Sequence, residues 1–202
     1  MPTDLELLAR ARAGERAAWS ELVRLHCPAV RRFYRTMTPP EAVDDLTQET
    51  FLRLERAFAA QRAVLSFRSF LFGIARNVLH EFIRERTRST RNLDDVSAVD
   101  LDPRPSSVLI ARADRAALVE ALRHLTIQHQ LVLQLFYWED MTTAEIAAVL
   151  DENENTIRGR VTRARARLRE LLAQFDRQGM VPRGSDAEFD AFASATREHV
   201  GG

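Results

Sequence analysis

Arginines dominate the two stretches of this chain best equipped for chemistry. Between Asn155 and Leu172 they stand at positions 158, 160, 163, 165, 167 and 169, against a single acid, Glu170. A guanidinium is always charged and presents a rigid fork of donors that matches a phosphate or the edge of a guanine. Like charges crowded on one helix repel unless an anion relieves them, so the implied chemistry is docking on a polyanion. The competing reading is a solvated arginine-rich helix laid over a core. A second basic set lies between Arg68 and Arg91, where Arg76, His80, Arg84 and Arg88 recur every four residues. That spacing makes a stripe suited to backbone phosphates. Phe67, Phe70 and Phe72 crowd the start of the same segment. An exposed ring there could stack on an unpaired base, worth about 1–3 kcal/mol; burial in the core is the other role open to each. No paired carboxylates, nucleophile triad, phosphate-binding glycine loop or metal-ligand spacing is visible, so no catalytic residue, metal or cofactor is expected. Cys27, beside His26, suits a half-buried core position, and a single cysteine excludes an internal disulfide.

Helices must position these residues. Ile157, Val161, Ala164, Leu168 and Leu171 fall on one stripe of a helix expected from about Glu154 to Ala173, leaving Arg158, Gly159, Thr162 and Arg163 on the opposite face. Asn153 or Asn155 can cap its start. Upstream, Thr142 with Glu145 three residues on forms a capping box for a shorter helix over about Thr143–Leu150. Ile146, Ala147 and Leu150 then face the long helix. Two helices joined by a short polar turn make a helix-turn-helix, whose second helix can enter the DNA major groove.

The remaining helices are expected over Leu5–Arg12, Ala17–Tyr34, Glu41–Phe58, Phe67–Arg86, Val108–His124 and Gln128–Trp138. Leu46, Phe51, Leu54 and Phe58 point to a core, and Leu71, Ile74, Ala75, Val78 and Phe82 form the buried stripe of the Phe67–Arg86 helix. Thr38-Pro39-Pro40 breaks the chain between helices. The fold class expected is all-α: two small helical domains, residues 1–88 and 108–175, joined by an acidic linker at 89–107. That linker has two prolines and four aspartates and lacks a helical period, so it reads as flexible. Residues 176–202 form an acidic extension. Within it, Phe189 and Phe192 among Asp186, Glu188 and Asp190 could make an amphipathic helix that docks back on the protein or on a partner, against the alternative of a disordered tail.

Net charge is zero, with 29 basic and 29 acidic residues, and every basic residue is arginine. Local field governs docking on a polyanion, and here the signs are segregated. Acids gather at Glu41–Glu49, Asp94–Asp102 and the tail. No window reaches the ~18 consecutive apolar residues of a membrane span, and the N-terminus has no signal-peptide layout. A reducing cytoplasm is the expected compartment.

Two blocks carry a family resemblance. DDLTQETFLRLERAF followed by FRSFLFGIARNVLHEFIRER resembles region 2 of the sigma factors of RNA polymerase. ALRHLTIQHQLVLQLFYWEDMTTAEIAAVLDENENTIRGRVTRARARLREL resembles their region 4. Order and spacing resemble the extracytoplasmic-function (ECF) group of the sigma-70 family. The resemblance implies an alternative sigma factor, not an enzyme, whose partners are core polymerase, promoter DNA and, as a further candidate, an anti-sigma factor. It implies that Asp44, Asp45, Gln48 and Glu49 dock on the polymerase clamp helices. The 59–66 loop would capture a flipped base. Phe67, Arg68, Phe70, Arg76, Asn77, His80, Arg84 and Arg88 would meet the −10 element and the melted strand. Asn155, Thr156, Arg158, Gly159, Thr162 and Arg163 would read the −35 element, with region 4 also touching the polymerase flap. The linker would thread the polymerase cleft with Asp94, Asp95, Asp100 and Asp102 as nucleic-acid mimics. Asp151 stands where the family commonly has glycine, in a turn that needs a left-handed residue. The rival is a helix-turn-helix regulator binding a duplex operator as a dimer; it would need a dimerisation or ligand domain.

Overall fold

A computed structural model describes residues 2–59, 66–87, 96–102, 113–175 and 186–195. These residues are helical, with one isolated bridge between Ser97 and Thr126. The first block holds α1 (Asp4–Arg12), α2 (Arg16–Arg35), a 3₁₀ turn (Pro40–Ala42), α3 (Val43–Ala59) and α4 (Phe67–Thr87). The second holds α6 (Ala113–Arg123), α7 (Ile127–Tyr137), α8 (Thr143–Leu150) and α9 (Glu154–Phe175). Between them lies the short α5 (Ala98–Leu101), and α10 (Asp186–Ala195) follows.

The first block is tied at its centre by Tyr34. Its hydroxyl donates to the Ala75 carbonyl at 2.9 Å and lies 2.6 Å from Thr50 Oγ1, which joins α2, α3 and α4 through one buried group. Burial keeps that phenol protonated far above its usual range. Leu46, Phe51, Leu54 and Phe58 are buried, as their spacing predicts. The chain break at Pro39-Pro40 becomes the 3₁₀ turn, with Pro40 at its first position, where its missing N–H costs nothing. Cys27 is half-buried against the core.

The face buried by α4 differs from expectation. Phe67, Leu71, Phe72, Ala75, Val78, Leu79 and Ile83 are buried, while Ile74 and Phe82 are only partly so. The stripe is rotated because Phe72, Leu79 and Ile83 also reach the core. Phe82 instead lies under the Arg86 guanidinium, 4.8 Å from its ring centroid.

Part of the expected flexible linker is structured. Ser97 and Asp100 form a capping box around α5, and Val96 and Ala98 are buried. Ile127 N–H donates to the Val96 carbonyl at 2.7 Å, and Arg123 donates to the Asp102 carbonyl at 2.6 Å. Two apolar residues supply the anchor and Ser97 with Asp100 supplies the cap, a pattern too short to register as a helical period. Asp94 and Asp95 lie outside the described residues.

The two blocks meet. Gln134 donates to Thr36, and Glu139, only 3% exposed, pairs with Arg32 and, at 3.3 Å, with Arg68. α8 packs along α4.

Candidate nucleic-acid interface

The helix-turn-helix forms as its sequence dictates. Thr142 Oγ1 accepts from Glu145 N–H at 3.2 Å, and Glu145 returns the bond to Thr142 N–H at 2.8 Å. α8 ends at Asp151, whose φ of 55° and ψ of 47° are left-handed, a conformation aspartate tolerates better than most side chains. Asn153 caps α9, its Oδ1 accepting from Asn155 N–H at 2.8 Å. Ile146, Ala147 and Leu150 bury against Ile157, Val161, Ala164 and Leu168. That packing leaves Asn155, Thr156, Arg158, Thr162 and Arg163 exposed on one side, with Gly159 between them.

The arginines of α9 are less crowded electrostatically than the sequence suggests. Arg158 pairs with Glu154 at 3.0 Å, Arg160 with Glu152 at 2.7 Å, and Arg167 with Glu170 at 2.7 Å. Arg165 and Arg169 pair with Asp190 and Asp186 of α10. Arg163 alone of the six forms no ion pair among the described residues. Intramolecular carboxylates therefore supply much of the relief that the sequence assigned to an external anion. Arg160, with a side chain only 15% exposed, braces the turn rather than reaching outward.

The basic stripe of α4 lines a cleft of about 1140 Å³ shared with α8. Arg76, Asn77, His80 and Arg84 form one wall, and Ala148, Val149 and Asp151 belong to the other. Arg76 Nε and His80 Nε2 are buried without a hydrogen-bond partner among the described residues. Burial, reinforced by Arg76 and Arg84, pushes the His80 imidazole down to about 4. Burial also lowers the Arg76 guanidinium, against the pull of Glu152 and Asp151.

Two residues expected at the melted strand, Phe67 and Arg68, are placed differently. Phe67 is 2% exposed and packed against His26 and Phe58, so it is a core ring and not a stacking platform. Phe70 is the half-exposed ring of the cluster; it stacks on Phe58 at 5.8 Å and borders the cleft. Arg68 is held by Glu139. Phe72 is fully buried. Arg88 and loop residues 60–65 lie outside the described residues.

The sequence and fold both match known proteins. Sigma-70 region 2 matches residues 22–89, and Sigma-70 region 4 matches residues 115–168. The sigma factor CnrH of Cupriavidus metallidurans is 31% identical over 179 residues, spanning 84% of this chain and 94% of that protein. The ECF sigma factor SigM of Mycobacterium tuberculosis is also 31% identical over 179 residues, spanning 84% of this chain and 85% of its own. This chain belongs to the ECF sigma factors of the sigma-70 family. It is an alternative sigma factor of RNA polymerase, from a family of non-catalytic initiation factors. Its fold is similar to CnrH in complex with the cytosolic domain of CnrY (TM-score 0.59, 28% identity, 83% of this chain and 96% of that one). It is also similar to the sigma factor RpoE in complex with the anti-sigma factor NepR from Bartonella quintana (TM-score 0.60, 28% identity, 76% and 96%).

In region 2 the acidic edge of α3 is open to solvent. Asp44, Asp45 and Gln48 are exposed, and Asp44 reaches Arg31 at 2.5 Å. Glu49 is committed elsewhere: it pairs with Arg53, which also holds Glu81 and is raised by both. Leu52, 39% exposed, continues the Asp45 and Gln48 row by one helical turn. Sequence reasoning missed it; the available signal was an apolar residue four after Gln48 and off the Leu46–Leu54 stripe. No helix among the described residues is long and apolar enough to cross a membrane.

Proposed function

We propose that the two regions divide the promoter between them. Region 4 reads the −35 element through Asn155, Thr156, Arg158, Gly159, Thr162 and Arg163, and region 2 holds the −10 element and melted strand through Phe70, Arg76, Asn77, His80 and Arg84. The observation that carries this is the exposed row on α9, kept clear of the core by the buried stripe behind it. Each reader alone binds weakly. Mounting both on core polymerase raises the effective concentration of the second and fixes their spacing. Unstacked bases trapped by region 2 then offset part of the cost of opening the duplex. Asp44, Asp45, Gln48 and Leu52 are the docking edge for polymerase, with Glu49 contributing through the Arg53 network. The working compartment is the cytoplasm, where core polymerase is found.

The domain limits that fit this division are region 2 at 1–88, a linker at 89–107, region 4 at 108–175 and an extension at 176–202. The cleft between α4 and α8 implies that the free protein rests closed, with the stripe of α4 facing region 4. Assembly on polymerase must then draw the regions apart. The two structural relatives were captured in complexes, CnrH with the cytosolic domain of CnrY and RpoE with the anti-sigma factor NepR. An anti-sigma factor fits the same role here, holding the regions in an inactive arrangement.

The test is run-off transcription with core polymerase and the R163A variant. The loss should be confined to templates carrying the upstream element and correspond to about 1–3 kcal/mol of discrimination. Equal loss on templates with a scrambled upstream element would remove α9 from the reading role.

A further inference from the structure

α10 lies beyond the residues matched by region 4 of the family, yet it is seated on region 4. Phe189 and Ala193 are buried, 2% and 3% exposed, and Ala193 lines a small groove with Leu118, Leu133, Tyr137, Trp138 and Leu168. The Trp138 indole donates to the Ala193 carbonyl at 3.1 Å, and the Tyr137 hydroxyl donates to Asp190 at 2.6 Å. From that anchor the helix directs two carboxylates at one flank of α9. Asp190 takes Arg165, and Asp186 takes Arg169 at 2.6 Å, while the Arg169 guanidinium lies 4.5 Å from the Phe189 ring centroid. Arg165 and Arg169 follow Arg158 and Thr162 along α9 at helical spacing, on the same flank.

We propose that α10 is a self-competing strap: its Asp186 and Asp190 occupy, in the free protein, the two arginines that would otherwise hold backbone phosphates of DNA docked on α9. The anchor is small: Phe189 and Ala193 are buried, Phe192 is partly so, and Trp138 and Tyr137 each donate one hydrogen bond to the helix. The Arg169–Asp186 pair is at the surface, with side chains 38% and 71% exposed, while the Arg165–Asp190 pair is partly buried, 22% and 36% exposed. The outer pair contributes little and is screened by salt, so a phosphodiester backbone, with its condensed charge, can displace it first and then compete for Arg165. The strap leaves Asn155, Thr156, Arg158 and Arg163 open, so base reading remains available while phosphate clamping is withheld. Nonspecific binding, which depends on phosphate contacts, is thereby suppressed more than specific binding.

This inference rests on α9 being the DNA-reading helix, and the experiment separates the two claims. Binding of full-length protein to a random-sequence DNA duplex is measured across a salt series. The variants are D186N/D190N, the same pair combined with R165A/R169A, and R163A. D186N/D190N is expected to bind on the order of tenfold more tightly at low salt, and to steepen the slope of log K against log salt by about two, as two released arginines engage phosphate. Adding R165A/R169A should abolish both gains. In parallel, titrating DNA into the wild-type protein should shift the Trp138 indole N–H resonance as Ala193 leaves it. Unchanged affinity and slope for D186N/D190N, or a gain that survives R165A/R169A, would overturn the strap. So would tighter binding of D186N/D190N to core polymerase with no change on DNA, which would assign α10 to a protein surface. R163A is expected to lose affinity for a duplex carrying the upstream promoter element, measured beside the random-sequence duplex. If it does not, the DNA-reading role of α9 fails and the strap falls with it; if it does while D186N/D190N gains nothing on random-sequence DNA, only the strap fails.

Discussion

Under the proposed reading role of α9, Gly159 concentrates the trade between stability and recognition in one residue. It lies inside α9, where glycine costs about 0.5–1 kcal/mol relative to alanine. A Cβ there would meet only the Arg163 guanidinium, at 3.3 Å, and that flexible end can move aside. G159A should therefore raise Tm by about 2–4 °C while weakening binding to the upstream promoter element, because the added methyl stands between Arg158 and Arg163 on the face turned to the groove. Thermal melts and promoter binding check the two halves separately. His80 offers a second test. Its imidazole is held near 4, chiefly by burial, against an ordinary value of 6.5. Charged neighbours in the cleft are Arg76 and Arg84 on its own helix, Glu145 and Asp151 from the α8 side, and Arg53 and Glu81 beside them. Between pH 6.5 and 4 the unfolded chain binds the proton and the folded chain does not, so this contribution is fully present above about 6.5 and lost as pH falls towards 4. H80Q should flatten the pH dependence of Tm in that window. An unchanged slope would place the imidazole in solvent.

At the scale of elements, the acidic edge of α3 proposed to dock on polymerase is separable from the core that carries it. Asp45 and Leu52 are exposed while Leu46, Phe51 and Leu54 are buried. D45R/L52A should lower affinity for core polymerase at least tenfold in a binding titration, with Tm nearly unchanged because neither side chain packs inside. Caps behave oppositely. T142A removes the acceptor of Glu145 N–H and the partner of its carboxylate, costing about 1 kcal/mol of stability at no exposed contact. Elements were the most legible level of the sequence. The capping box at Thr142, the stripe from Ile157 to Leu171 and the proline break each follow from local chemistry, and each formed where its residues indicate. What local patterns could not show is which of several apolar residues meets a partner distant in sequence. The buried face of α4 shifted for that reason, and Phe67 and Phe70, three residues apart, ended in different environments. α5 was invisible because a four-residue helix depends on Val96 finding the start of α7. The partners of Arg165 and Arg169 lay in α10, too far along the chain for a charge count over α9 to include them.

Across the whole molecule, the two regions are held together by α8 packing along α4 and by a small set of polar groups. Glu139 accepts from Arg32, whose side chain is 9% exposed, and from Arg68, while Gln134 donates to Thr36. A buried pair adds little over a well-packed apolar contact, yet removing one partner leaves an uncompensated charge and costs about 3–5 kcal/mol. E139A should therefore loosen the contact between regions and leave each core intact. The radius of gyration by small-angle scattering should rise while helical circular dichroism stays constant, and the α4 stripe should gain access to single-stranded DNA. A variant as compact as the wild type would locate the closure elsewhere. Closure and the proposed strap act on the same quantity, the exposure of basic faces before polymerase is bound. They also account for a net charge of zero in a DNA-binding chain: most arginines of α9 rest on the protein's own carboxylates until a polyanion competes for them.

The central claim is that this chain confers promoter selectivity on core polymerase through two separated readers. Run-off transcription from a library of promoter sequences, with core polymerase and the purified protein, tests it most directly. The account predicts transcripts from templates sharing two conserved elements at fixed spacing, with the upstream preference lost in R163A. Core polymerase that gains no selectivity, together with tight binding of a duplex operator by the protein alone, would contradict it.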